Sequence, residues 1–247
     1  MKQRNLPKAF SPELATSYKN LFVNGCSFTW NNSEQHVCSW PYYLRDLADF
    51  GTVFDCSQMG AGSNHIFNST INSIETNNIT AGNTFIVVVW SGLTRTDTIA
   101  ETELTREWHY QSNYNFNDEY STLSIFNFVD GNSELDKLCE QYKKLVSIDA
   151  QIYESALKII ALKNYLENKK FNFVFAQYQD LILEIETLPM VLQTKLKDCF
   201  DDLISIGSHS ESFEDDGHPA PDSYLNWTRL ELVPYLLNKY PALFQKL

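Results

Sequence analysis

The sequence predicts one α/β domain over residues 1–247, a three-layer sandwich whose mostly parallel sheet of about five strands lies between helices. Short apolar runs alternate with helical stretches along the chain, and this alternation is typical of parallel βαβ units. The run Phe85–Trp90 is apolar at every position, as expected for a central strand buried on both faces. The 247 residues, 43% of them hydrophobic, are enough for a single domain with a substantial core.

The first half of the chain begins with a segment of weak pattern. Residues 1–18, which are polar and contain two prolines, are predicted to form an irregular N-terminal arm, and a short strand follows over Tyr18–Asn24. Ser39-Trp40-Pro41 predicts a helix start, because serine caps helices and a proline in the first turn loses no needed donor. That helix is predicted to end near Phe50, and the next elements are a strand over Thr52–Phe54 and a helix over residues 64–76.

The second half contains a long segment without clear periodicity. Residues 98–133 are polar and aromatic and are predicted to form a long loop, which in a compact domain usually has a functional role. The remaining predictions are a helical stretch broken once over residues 134–168, a strand over 171–177, and helices over 188–203 and 221–239. Three polar residues that follow the fourth strand are predicted to line a cleft: Gln177, Tyr178 and Asp180.

Composition excludes several classes of function. A formal charge of −12 repels phosphate backbones, so no nucleic acid partner is expected. The five cysteines are scattered without a C-x-x-C pair, which argues against a disulfide framework and a zinc site. No histidine pair has metal-ligand spacing, and neither a metal nor another cofactor is predicted. The chain shows no apolar signal-peptide core and no stretch of membrane-spanning length, so a cytoplasmic protein without a membrane partner is expected.

A candidate nucleophile directly follows the first of the predicted strands. The segment Asn24-Gly25-Cys26-Ser27 lies at the carboxyl end of that strand, where doubly wound sheets bind ligands. Gly25 permits a tight turn there, and Ser27 is either a nucleophile or a helix cap. The thiol of Cys26 is an alternative nucleophile, but a buried thiol is the commoner role, so Ser27 is favoured.

A candidate base lies just before the last predicted helix, in Asp215-Asp216-Gly217-His218. A carboxylate two or three residues before a histidine can accept its Nδ1–H, which sets the tautomer and stabilises the imidazolium that forms during catalysis. Asp215 is favoured for this role, and Asp216 is the alternative. A surface turn rich in Asp and Gly is the competing interpretation of the same segment.

The order of these motifs resembles the SGNH (GDSL-like) hydrolase superfamily over essentially the whole chain. Gly25-Cys26-Ser27 matches the G-D-S motif of the nucleophile, and Asp215 to His218 matches the D-x-x-H motif. Asp55 to Gly60 resembles the N-x-G-x-S-G block, whose glycine amide serves the oxyanion hole. Gly60 is therefore favoured as a donor, and Gly62 is the alternative. Ser39-Trp40-Pro41 followed by Gly62-Ser63-Asn64 resembles one branch of the superfamily.

The sequence departs from the superfamily at two places. Cys26 replaces the aspartate of G-D-S, and Trp90-Ser91-Gly92 stands where a G-x-N-D block would supply an asparagine to the oxyanion hole. Ser91 or Asn64 is expected to provide the missing donor, whose loss typically costs about 10²–10³ in rate. Arg95 is expected to bind an anionic group of the substrate, with Trp90 as a second substrate-binding residue.

The resemblance implies a flavodoxin-like sheet and a serine esterase. In that mechanism His218 deprotonates Ser27, which attacks a small acyl ester, and the amides of Ser27 and Gly60 hold the oxyanion. The implied partner is a small-molecule or carbohydrate ester, with an O-acetyl group on carbohydrate as one candidate. Two alternatives remain open: acyl transfer to another alcohol on the same residues, and a non-catalytic binding or structural module, which the missing asparagine motivates.

Overall fold

The central sheet contains four parallel strands and a short antiparallel strand at one edge, in the spatial order β1-β4-β3-β5-β8. The structure is a computed structural model that describes residues 2–4, 8–29, 39–95, 97–101, 120–124, 134–210 and 218–247. The strands, in chain order, are β1 Lys2–Arg4, β2 Leu14–Thr16, β3 Asn20–Gly25, β4 Thr52–Asp55, β5 Thr84–Trp90, β6 Asp97–Glu101, β7 Tyr120–Ser124, β8 Phe173–Gln177 and β9 Phe244–Lys246.

Helices connect the parallel strands and flank the sheet. Their bounds are α1 Trp40–Leu47, α2 Ser63–Thr76, α3 Glu134–Leu145, α4 Ile148–Asn168, α5 Met190–Lys197, α6 Ile206–His209, α7 Pro221–Trp227 and α8 Val233–Lys239. A 3₁₀ turn covers Leu181–Glu184, and a π-helical segment over Thr228–Leu232 joins α7 to α8. Among the described helices, none is both long and apolar enough to cross a membrane.

Alternate residues of the strands enter two separate core clusters. Leu21 and Val87 pack with residues of α1, α7 and α8, whereas Phe22 and Val88 pack with residues of α2 and α4. This division follows from the two-residue period of a strand, which points successive side chains to opposite faces. The fully buried pattern of β5 confirms the predicted central strand and the α/β class with a parallel sheet.

The sheet has four parallel strands, where about five strands in a mostly parallel sheet were predicted. The place beyond β8 is taken by an irregular segment that pairs with Phe175 through one residue. Asp201 donates its backbone N–H to the carbonyl of Phe175 at 3.0 Å, and its carboxylate accepts the N–H of Phe175 at 2.7 Å. A side chain thus replaces the carbonyl that a fifth parallel strand would offer. The helix predicted over 188–203 is shorter and covers Met190–Lys197.

Two segments predicted to be irregular contain strands. The N-terminal arm, residues 1–18, includes β1, which pairs with β4, and β2, which pairs with β9 at the other end of the chain. In the predicted loop over 98–133, β6 and β7 form an antiparallel pair. These strands are three to five residues long, too short for a clear period, and their partners lie far away in sequence. The predicted break in the helical stretch over 134–168 is confirmed at Ser147, whose side chain caps α4.

Candidate active site

The candidate nucleophile lies in a tight turn at the carboxyl end of β3. The N–H of Thr29 donates to the carbonyl of Cys26 at 2.9 Å and closes the turn. A Cβ on Gly25 would lie 2.8 Å from the carbonyl oxygen of Val89, so only glycine allows the strands to approach this closely.

The two candidate nucleophiles in that turn differ in exposure. Cys26 is fully buried, whereas Ser27 is partly exposed. Burial also raises the pKa of the Cys26 thiol, although the positive charge of Arg95 acts to lower it. A reactive thiol needs access and a low pKa. Both observations therefore favour Ser27.

The fully buried Asn24 fastens the end of β3 to α2. Its Nδ2 lies 2.8 Å from the hydroxyls of Ser69 and Thr70, and its Oδ1 accepts the N–H of Gly25 at 2.8 Å. Because all of these groups are buried, their hydrogen bonds hold the strand end in one position. No local pattern predicts this role of Asn24, since its partners are more than forty positions away.

His218 lies against the residue that follows the candidate nucleophile. The ring centroids of His218 and Phe28 are 5.2 Å apart, and Phe28 also packs edge-on against Tyr178 at 4.8 Å. His218 thus contacts the residue that follows Ser27, although the two positions are 190 residues apart in sequence (218 − 28). The candidate orienting residues Asp215 and Asp216 lie outside the described residues.

The candidate oxyanion glycine lies on a loop that borders the Ser27 turn. The loop after β4 runs beside the end of β3, because the N–H of Gln58 donates to the carbonyl of Gly25 at 3.0 Å. Gly60 on this loop has a φ of 74°, the left-handed region that favours glycine. The alternative, Gly62, donates its N–H to Asp97 Oδ2 at 2.8 Å. An oxyanion would have to compete with that carboxylate, so Gly60 is the better-placed donor.

A buried carboxylate, Asp97, holds the start of α2. Its two oxygens accept the backbone N–H groups of Gly62, Asn64 and His65 at 2.8 to 2.9 Å. Burial raises the pKa of Asp97 to about 6, against the lowering effect of these hydrogen bonds. The side-chain amide of Asn64, a predicted oxyanion donor, donates to the carbonyl of Asp97 at 2.6 Å, which engages one of its two hydrogens. No local pattern marks Asp97, because this residue lies 32 or more positions from the groups that it binds.

We expect His65 to make the protein less stable in mild acid. The ring is buried, its Nε2 lies 2.9 Å from the carbonyl oxygen of Cys56, and burial lowers its pKa to about 4. The unfolded chain takes up a proton near the ordinary pKa of 6.5, so the stability that the neutral ring contributes is present above that pH and is lost as pH falls toward 4. Urea unfolding at about pH 7.5 and about pH 4.5 should therefore show a smaller loss in His65→Gln than in the wild type. An NMR titration that places the pKa of His65 near 6.5 in the folded protein would contradict this expectation.

The turn after β5 is held by Glu184. One oxygen of this carboxylate accepts the N–H groups of Leu93 and Thr94 at 2.7 and 3.3 Å, and the other accepts the side-chain amide of Gln179 at 2.6 Å. Ser91, a predicted oxyanion donor, is buried in this turn, and its hydroxyl has no hydrogen-bond partner among the described residues. The turn thus presents an unused hydroxyl at the carboxyl edge of the sheet.

The two predicted substrate-binding residues differ in their environment. Trp90 is fully buried and packs edge-on against Phe175 at 5.5 Å, so in this structure its ring belongs to the core. Arg95 is partly buried, and its guanidinium lies over the ring of Tyr178 at 5.6 Å. Because Tyr178 also contacts Phe28, Arg95 belongs to the same group of side chains as His218.

A cleft of about 430 Å³ opens beside this group, at the carboxyl end of β8. Of the three residues predicted to line a cleft, Gln177 and Asp180 line this one and Tyr178 does not; the other lining residues are Lys197, Phe200, Asp201, Asp202, Leu203, Ile204, Ser205 and Ser208. Its wall at residues 205–208 adjoins the aromatic group, because Gly207 donates its N–H to the carbonyl of Tyr178 at 2.7 Å. Neither Ser27 nor His218 lines the cleft, which therefore lies next to the candidate catalytic residues rather than at them.

No protein-family model matches the chain, and no curated protein sequence matches it. The resemblance to the SGNH superfamily therefore depends on the order of the motifs. In the part of the chain that the structure describes, no three His, Cys, Asp or Glu side chains are grouped so that they could hold a metal ion.

Proposed function

We propose that the chain is an SGNH-type serine hydrolase that cleaves a small acyl ester through an acyl-enzyme. The observation that carries the proposal is the contact of the His218 ring with Phe28, the residue next to Ser27. The strand order also supports it. If the parallel strands β3, β4, β5 and β8 are numbered 1 to 4 along the chain, they lie in the sheet in the order 2-1-3-4, which is found in flavodoxin-like sheets. With helices packed in both core clusters, this order favours a three-layer α/β/α sandwich.

The reaction uses Ser27 as nucleophile and His218 as general base. His218 takes the proton of the Ser27 hydroxyl while the Ser27 oxygen bonds to the ester carbonyl carbon. The tetrahedral intermediate then collapses, and the alcohol leaves with the proton from His218. Water, deprotonated by the same histidine, attacks the acyl-enzyme; the Ser27–acyl bond then breaks, His218 returns the proton to the Ser27 oxygen, and the acid is released. Asp215 is assigned the orienting role from the D-x-x-H spacing.

The oxyanion is held by two backbone donors and one side-chain donor. The backbone N–H groups of Ser27 and Gly60 supply two donors, on adjoining loops after β3 and β4. The side-chain amide of Asn64, which uses one of its two hydrogens on the carbonyl of Asp97, replaces the asparagine of the superfamily. A donor that is fixed before the charge develops contributes most in such a site. The adjoining cleft is assigned to the alcohol part of a small-molecule or carbohydrate ester.

A fluorophosphonate probe tests the proposal directly. The wild-type protein should form a covalent adduct on Ser27, since an activated serine displaces fluoride from phosphorus. Ser27→Ala should lose the adduct. Cys26→Ala, a matched change at the neighbouring residue, should keep it, because the thiol is buried. If the folded wild-type protein is not labelled, or if Ser27→Ala is labelled equally, the hydrolase proposal fails.

A further inference from the structure

Arg95 has a buried donor without a partner in a strongly acidic protein. The chain has 31 Asp and Glu against 19 Lys and Arg, so carboxylates are abundant. Nevertheless, Nη1 of Arg95 is enclosed and has no hydrogen-bond partner in the part of the chain that the structure describes. An enclosed, unsatisfied N–H of a charged group costs free energy, and such groups in native proteins usually have a functional explanation.

The other arginines with described side chains are paired with carboxylates. Arg45 binds Asp46 at 2.6 Å in the core, and Arg229 binds Glu13 at 3.0 Å near the surface. Within the described residues, Arg95 forms no such ion pair. Arg229 also has a buried nitrogen, Nε, without a described partner, so Arg95 differs from it in lacking an ion pair.

Two carboxylates that bind backbone near Arg95, Glu184 and Asp97, are already engaged. Both oxygens of Glu184 accept hydrogen bonds from the turn after β5 and from Gln179. Both oxygens of Asp97 accept N–H groups at the start of α2. These two acids therefore shape the backbone on either side of Arg95, and within the described residues they leave its Nη1 without an acceptor.

The position of Arg95 is set before any ligand arrives. Its backbone N–H donates to the carbonyl of Gly92 at 3.0 Å, and its guanidinium lies over the ring of Tyr178. The unpartnered hydroxyl of Ser91 lies in the same turn. A guanidinium and a hydroxyl are both hydrogen-bond donors, and their complement is an anionic oxygen.

We propose that Arg95, assisted by Ser91, binds an anionic group of the substrate, namely a carboxylate, sulfate or phosphate. The existence of an anion site depends only on the unpaired donors, whereas its assignment to the substrate rests on the proposed hydrolase function. The hydrolase would therefore act on charged esters in preference to neutral ones. Arg95 selects the substrate in this scheme and takes no part in proton transfer.

The anion site is tested without catalysis, in protein that carries Ser27→Ala. Inorganic phosphate is titrated calorimetrically at constant ionic strength, and binding should weaken by about 10- to 100-fold when Arg95→Gln is added. Arg229→Gln, which removes the same charge from a surface ion pair, should bind phosphate as the parent does. Ser91→Ala, a smaller change, serves as the second variant and should weaken binding by about threefold to tenfold. If the Ser27→Ala protein binds no phosphate, or if Arg95→Gln and Ser91→Ala bind it unchanged, the anion site is wrong.

The link to the substrate is tested with two activated esters, 4-nitrophenyl acetate and the negatively charged 4-nitrophenyl hemisuccinate. The wild type should have the higher kcat/KM on the charged ester, and Arg95→Gln should abolish that preference mainly through KM. If both esters are hydrolysed without such a preference, the hydrolase stands and the substrate assignment of the anion site fails. If neither is hydrolysed while phosphate binding still depends on Arg95, the anion site stands and the hydrolase proposal fails.

Discussion

Replacing His218 with glutamine is expected to lower kcat/KM for 4-nitrophenyl acetate by about 10⁴-fold. Glutamine retains polar atoms of similar reach but cannot take the proton of Ser27 near neutral pH. The ring of His218 is partly exposed and contacts Phe28 from one side, so its replacement leaves the core intact. Steady-state kinetics measure the effect, and an unchanged thermal midpoint shows that the variant is folded.

A second histidine provides the control for this substitution. His209, at the end of α6, has its Nδ1 3.7 Å from Glu231 and makes no contact with the aromatic group around Phe28 among the contacts that the structure shows. His209→Gln should therefore leave kcat/KM unchanged. If His218→Gln hydrolyses the ester as fast as His209→Gln does, His218 is not the base, and the catalytic scheme has to be abandoned.

Replacing Asp97 with alanine is expected to lower the free energy of unfolding by about 3–5 kcal/mol at neutral pH. The substitution leaves three backbone N–H groups at the start of α2 without their acceptor, and the site is buried. The substitution also removes the hydrogen bonds that join β6 to the start of α2, and this start follows the loop that carries Gly60. Urea unfolding measures the loss, and fluorophosphonate labelling should slow in the variant even under conditions in which it is fully folded.

An exposed acid in another helix provides the matched control. Asp149 lies in the first turn of α4, which is already capped by the side chain of Ser147. Asp149→Ala should change the free energy of unfolding by only about 0.5 kcal/mol, because a surface carboxylate near a helix start interacts weakly with the helix dipole. Equal losses for the two variants would mean that the hydrogen bonds of Asp97 do not stabilise the fold.

Much of the fold was predictable because its signals are local. Seven consecutive buried residues in β5 are recognisable from hydrophobicity alone, and Ser39-Trp40-Pro41 correctly located the start of α1. Serine at 147 also explains the break between α3 and α4, since its side chain caps the second helix. Periodicity and capping act within a few residues, so they can be recognised without knowledge of the tertiary structure.

The strands at the margins of the fold were not predictable in the same way. β2 exists because β9, more than two hundred residues later, offers it an antiparallel partner. The segment beyond β8 does not become a fifth strand, because the carboxylate of Asp201 takes the place of a backbone acceptor for Phe175. Both outcomes depend on pairing between distant residues, which no local pattern encodes.

The candidate site shows the same division between local and tertiary information. The residue types and their order along the chain were sufficient to select Ser27 at a strand end and His218 before the last helix, because strand ends and helix starts are local features. Only the tertiary structure showed that Cys26 is buried while Ser27 is partly exposed, that the N–H of Gly62 is engaged by Asp97, and that Arg95 has no carboxylate partner among the described residues. Whether a polar group is available for chemistry depends on which distant groups satisfy its hydrogen bonds, and folding alone brings those groups together.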